Sequence, residues 1–400
     1  MLDPDYLLRV SEGAEKIASE LHTEIMNKVI HRITIRLGRG DDYILTPVDK
    51  WQLESLQEAG FLAEDIQKEI AKRTGLQAKE IKEAFEEAGI KTIEYDNEVY
   101  RSAGLLPDPL TKSPQLVRIL QRGYEATNGE WLNFTRTTAN AAHQMYIQAC
   151  DKAYNLVVGG SVSYTEAFRD AINDAVSSGV TVTYPSGHTD TIETATLRAV
   201  RTGISQACAD VTDARMDEIG WDTILVSSHI GARVTDKDDF TNHYWWQGRF
   251  YSKSGNDPRY KPFSLCGMGN VQGIHGANCR HSHGPGDGIH NPFEKFDSEE
   301  NRKRYELSQA QRLRERRVRD TKRKVMNLKT AMDSADFDAK EAIRADYEKK
   351  ALLLQKQNRE YNEFCEEHGL KKLSDRLTIA KWDRKQAAAA RAAARKAENG

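Results

Sequence analysis

Residues 227–292 hold six of the eleven histidines and two of the five cysteines of this 400-residue chain. Imidazole nitrogen and thiolate sulfur are standard ligands for zinc, and imidazole is also the commonest acid/base group near neutral pH. His229, His243, Cys279 and His281 make one ligand set, with Cys266, His275 and His283 as alternates. Cys279-x-His281 beside glycine can supply two ligands to one ion. No C-x-x-C pair or H-E-x-x-H helix fixes the geometry, so a zinc here is expected to be structural rather than catalytic. The same side chains allow a metal-dependent hydrolase or nuclease, with His229 or His243 moving a proton and Arg233 holding a phosphate. No Asp/Glu-x-Lys constellation accompanies them.

A scaffold reading needs no catalysis and no cofactor. Gly231, Gly248, Gly267, Gly269, Gly273 and Gly276 suit tight turns and close backbone contacts. Trp245, Trp246, Phe250 and Tyr251 supply a core and an assembly face. Asn278 suits a turn, and Arg233 and Arg280 are expected to pair with Asp236, Asp238 or Asp239.

The elements around this segment read as helices. Residues 3–35 carry apolar side chains near a 3.6-residue period, and Thr46-Pro47 opens another helix at Val48. Gly75 and Gly89 are placed to end short helices. Leu105-Leu-Pro-Asp-Pro109 is a breaker, followed by one or two long helices over 113–158. Ser163 starts a further helix, 180–184 reads as a strand before a turn at Gly187, and 191–216 is strongly helical. The texture changes at Gly220-Trp221, where a compact, loop-rich α+β unit begins. After residue 295 the chain is helical and polar. Val318, Val325, Leu328 and Met332 form one apolar seam, and Ile343, Tyr347, Leu354, Tyr361 and Phe364 form another. A break at 333–338 between them suggests a helical hairpin or coiled-coil arm, with a frayed alanine-rich tail beyond Gly369. The expected fold is therefore mainly α, in four regions: 1–105, 106–219, 220–295 and 296–400.

The net charge of −2 hides an asymmetry. Residues 301–400 hold 27 Lys+Arg against 16 Asp+Glu, a net of +11, whereas residues 1–300 hold 31 against 44, a net of −13. Arg312, Arg314, Arg316, Arg317, Arg319, Lys322, Arg323 and Lys324 are the densest cluster. They form either a solvated helix face or a surface for double-stranded DNA or an acidic protein, bound without sequence preference because base-stacking aromatics are sparse. Five scattered cysteines argue for free thiols, and no apolar run is long enough to span a membrane. The first residues lack the basic start and apolar stretch of a signal peptide, which points to a cytoplasm-like compartment.

Four motifs in order, S-H-x-G-A-R from Ser228, H-x-x-W-Q-G from His243, G-x-G-x-x-x-G from Gly267 and G-x-N-C-R-H from Gly276, resemble the phage minor capsid protein 2 family. That family is itself similar to the Mu-type head morphogenesis proteins, whose signature also closes on N-C-R. The helix bearing Arg198, Arg201-Thr202 and Arg215-Met216 occupies the place of the R-T helix that precedes the unit in such proteins. The resemblance covers about residues 195–285. It implies a non-enzymatic structural protein of the virion, assembled in the host bacterial cytoplasm, present in a few copies inside the head at or near the portal vertex. Portal protein, scaffold and major capsid protein are the implied partners, with roles in head assembly and in DNA packaging or ejection.

Overall fold

The protein is described by a computed structural model covering residues 1–335 and 337–399, so that Asp336, within the expected 333–338 break, and the last residue of the tail lie outside the described residues. In chain order the helices are α1 (Pro4–Arg9), α2 (Glu12–Leu37), α3 (Asp41–Ile44), α4 (Val48–Ser102), α5 (Pro114–Val158) and α6 (Tyr164–Ser178). A hairpin of β1 (Val182–Thr183) and β2 (Thr189–Asp190) leads to α7 (Ile192–Ile219). The small sheet region follows, with β3 (Thr223–Val226), α8 (His243–Trp246), β4 (Phe250–Ser252), β5 (Lys261–Pro262) and β6 (His283–Pro285). Three helices close the chain: α9 (Ser298–Ser334), α10 (Phe337–Glu367) and α11 (Arg384–Asn399). The architecture is mainly α. No helix among the described residues is long and apolar enough to cross a membrane.

Local chemistry explains many of the boundaries. Asp3 caps α1 by accepting the N–H groups of Asp5 and Tyr6, with Pro4 in the first turn. Ser163 caps α6 through the Glu166 N–H. Gly220, left-handed at φ +72, stops α7, and the Trp221 N–H bonds back to the Met216 carbonyl.

Two expectations are corrected. Gly75 and Gly89 do not end helices; both lie inside the 55-residue α4. A buried stripe runs through them without a phase break, from Trp51 by way of Leu62, Ile66, Ile81 and Phe85 to Tyr100. Continuous burial outweighs the cost of about 1 kcal/mol per helical glycine. Gly89 serves close packing instead, since a Cβ there would lie 2.2 Å from Leu120 Cδ1. The alanine-rich tail, expected to fray, forms α11 and packs on α10, with Ala390, Ala393 and Ala394 buried.

The chain clusters into two compact units. One comprises residues 1–15, 75–133 and 194–309, and the other 16–74, 134–193 and 310–400. In the first, β3 is the centre of a four-stranded sheet, antiparallel to β4 and β6, while β5 adds parallel to β4. Its core gathers Tyr100, Met216, Ile224, Val226, Trp246, Tyr251, Phe263, Cys266, Ile274 and Cys279. In the second, α2 is buried on more than one face, through Leu21, Ile25, Met26, Val29, Ile30 and Ile33. Trp51 stacks on Tyr154 at 4.7 Å, and the buried Arg36 guanidinium lies over its ring at 4.2 Å. α9 and α10 run antiparallel here: Gln311 Nε2 lies 3.5 Å from the Tyr361 hydroxyl, and both expected seams are buried from Val318 to Met332 and from Ile343 to Tyr361.

Candidate functional site

The motif-bearing residues all fall in the first unit, and three of the four proposed ligands converge. Among the described residues, His243, Cys279 and His281 are the one group of ligand-type side chains in which a donor atom from each lies within 4.8 Å of the others. All three are buried. His243 opens α8, and Cys279 and His281 leave the glycine loop that runs into β6.

Hydrogen bonds fix both imidazole tautomers. His243 Nε2 lies 2.8 Å from the backbone carbonyl of Gln272, which only accepts, so Nε2 carries the hydrogen. For His281 the partner is Gln247 Oε1 at 2.9 Å, and the backbone N–H of His229 donates to the same atom at 3.1 Å. That second donor identifies the atom as oxygen, so His281 Nε2 is also protonated. Both Nδ1 lone pairs therefore face the Cys279 sulfur, at 3.8 Å from His243 and 3.6 Å from His281. The backbone N–H of His281 points at the same sulfur from 3.4 Å.

Burial dominates the electrostatics. It pushes His243 down to about 4 and His281 well below the usual imidazole range, so both rings are neutral at pH 7. It pushes the Cys279 thiol up to about 11 and the Cys266 thiol up to about 12. A buried, protonated thiol is a poor nucleophile. All five cysteines are buried free thiols.

His229 does not present a nitrogen to this group. Its ring stacks on His281 at 4.4 Å and 23°, with Nδ1 near the Ile230 carbonyl and the Arg280 guanidinium. Trp246 also packs on His281: it is fully buried, 4.8 Å from the His281 ring, and donates to the Phe240 carbonyl. Arg233 does not pair with Asp236, Asp238 or Asp239, and it is not poised for phosphate. It donates to the carbonyls of Gln272 and Ala277 and so straps down the ligand loop. Asp236 meets Arg302, Asp239 binds Thr241 within its own turn, and Arg280 reaches towards Asp5 at 4.0 Å.

The glycine spacing follows from crowding. Gly267 is left-handed, and a Cβ on it would lie 2.5 Å from Phe240; a Cβ on Gly273 would lie 2.1 Å from the Gly267 carbonyl oxygen. Gly231, Gly248 and Gly269 also have positive φ, and Asn278 takes the left-handed conformation at φ +62 just before Cys279 turns inward. The alternates Cys266, His275 and His283 lie elsewhere. Cys266 belongs to the apolar core, while His275 bonds to Ser205 at 2.8 Å and to His283 at 2.8 Å, and His283 faces Asp213 at 3.4 Å. On α7, Arg201 binds the Leu8 carbonyl and Arg215 the Asp108 carbonyl.

Three contributors carried no sequence signal. Asn301 holds the S-H-x-G-A-R loop, the Gln272 carbonyl orients His243, and Ser205 orients His275. Each acts through contacts remote in sequence, and no spacing rule marks them.

The arm cations are largely engaged within the second unit. Arg319 and Lys322 donate to the carbonyls of Arg376 and Leu377, Arg323 pairs with buried Glu193, and Lys324 pairs with Asp320. Arg314 lies over the Phe364 ring and Arg312 is half-buried; Arg316 and Arg317 are exposed.

The family model described as phage minor capsid protein 2 matches residues 2–362. A protein named "Structural protein" from Lactococcus phage LL-H is 24% identical over 290 residues, covering 69% of this chain and 76% of that one. No solved structure matches. The match over nearly the whole chain settles the kinship: the chain belongs to the phage minor capsid protein 2 family, and its role is structural.

Proposed function

We propose that this chain is a minor head protein acting at or near the portal vertex, in contact with portal, scaffold or major capsid protein, during head assembly and DNA packaging or ejection. The observation that carries the reading is the family match across residues 2–362. The site chemistry supports it, because polar side chains of the four motifs serve to hold the unit together. Arg233 and Gln247 hold loops together, and the His243 and His281 rings are buried and neutral. Cryo-EM of intact heads, with focused classification at the portal, tests the placement. Density for this fold at the vertex, in few copies, is expected; the same density spread over the capsid lattice overturns it.

A second reading, contact with DNA or an acidic head protein, is favoured by the exposed pair Arg316 and Arg317 within a segment of net charge +11. It adds to the structural role rather than replacing it.

A further inference from the structure

We propose that His243, Cys279 and His281 form a binding site for a zinc-class divalent ion, held by two imidazole Nδ1 atoms and one thiolate, with water in the fourth position. The three side chains are short of one hydrogen. Both Nε2 atoms donate to carbonyl oxygens, so both Nδ1 atoms are lone pairs aimed at one sulfur. The Cys279 thiol has one hydrogen to give and cannot satisfy two acceptors. A cation at the focus of the three atoms satisfies all of them.

The distances fit such an ion. With bonds of about 2.3 Å to sulfur and about 2.05 Å to nitrogen, a tetrahedral centre separates its S and N ligands by about 3.5–3.6 Å. The observed separations are 3.6 and 3.8 Å. The surroundings resemble those that orient metal ligands elsewhere. Each ring donates its remote N–H to a carbonyl, and a backbone N–H points at the sulfur and steadies a thiolate. Soft sulfur with two imidazoles selects zinc over magnesium or calcium, which prefer oxygen. On binding, the S–H bond breaks, the sulfur keeps the electron pair as a ligand, and one proton leaves to solvent per ion. The imidazoles, already neutral, release none. The ion joins α8 to the loop before β6, and it is independent of where the protein sits in the head.

The test uses the full chain, expressed without a histidine tag. Metal analysis is expected to give about one zinc per chain, and chelation to lower the melting temperature. Replacement by Co²⁺ is expected to give tetrahedral visible bands with a near-ultraviolet thiolate-to-metal absorption. That absorption should vanish in Cys279→Ser, with far-UV circular dichroism reporting whether the variant folds. If Cys279→Ser does not fold, Cys279→Asp keeps an anionic ligand while still removing the sulfur band. A wild-type chain that takes up neither Zn²⁺ nor Co²⁺ overturns the site, and so does a sulfur band that persists in a folded Cys279 variant.

Discussion

The side-chain amide of Asn301 pairs with the backbone of Ala232 in both directions, Oδ1 accepting its N–H at 3.0 Å and Nδ2 donating to its carbonyl at 3.1 Å. Oδ1 also accepts the Gly231 N–H at 2.8 Å, and Asn301 is fully buried. Replacing Asn301 by Ala strands the buried donor and acceptor of Ala232 and the half-buried donor of Gly231. At about 1–3 kcal/mol for a stranded group, partly relieved by water, a loss of about 2–4 kcal/mol is expected in denaturant unfolding. Asn301→Asp keeps the acceptor and should lose less; equal losses would sink this account.

Trp246 packs against both the His243 and His281 rings, at 4.6 and 4.8 Å, with its own ring fully enclosed. Trp246→Ala should cost about 3–5 kcal/mol, the range for a large buried aromatic. Thermal unfolding measures it. A shift of less than a degree would show that the ring contributes little to holding the unit.

Burial, followed by the charge of His283, holds His275 well below the usual imidazole range. The unfolded chain protonates at about pH 6.5, before the folded one does. Above that pH the residue contributes no pH dependence. As pH falls below it, stability drops by about 1.4 kcal/mol per unit for each such histidine, until the folded ring also titrates. Unfolding free energies between pH 7 and 5 should show this slope, and His275→Gln should make it shallower by about one proton. An unchanged slope in the variant excludes His275 as a source.

Of the eight arm cations, Arg316 and Arg317 are exposed, while Arg323 is committed to Glu193. Burial raises the Glu193 carboxyl, but Arg323 and then His22 hold it well below the usual carboxylate range. Arg323→Ala should therefore act on stability, by about 3–5 kcal/mol, because it strands a buried charge. The Arg316→Ala/Arg317→Ala double variant should act on duplex binding instead. Two neutralised phosphates give a slope of about −2 in log K against log salt. Binding that survives the double variant at low salt, or a slope near −5, would restore the whole cluster as the contact.

Periodicity made the mainly helical fold legible, down to the α9 and α10 seams, because one face of each helix must be buried at a fixed spacing. Gly75 and Gly89 misled, since a glycine marks a helix end only where the apolar stripe also stops. At the site, His243, Cys279 and His281 were legible as types, but not their grouping. Which histidine joins depends on ring orientation, and His229 turns its face rather than an edge to His281. Arg233 was legible as a partner for a nearby carboxylate and not as a carbonyl binder, because carbonyls leave no trace in residue identity.

The ladder between β3 and β6 pairs Val226 with His283 and Leu225 with Gly284. Just upstream, Cys279 and His281 alternate with Asn278 and Arg280, so strand phase decides which set faces the core. Removing one residue between His281 and His283 would slide the upstream segment by a half-period and present Arg280 where His281 had been. A cation would then take the buried place of His281, whose described neighbours are His229, His243, Trp246, Gln247 and Cys279 rather than a carboxylate. The length of this short stretch is thus under tighter constraint than most of its letters, and a frameshift-like single deletion should be more damaging there than a point substitution at Asn278.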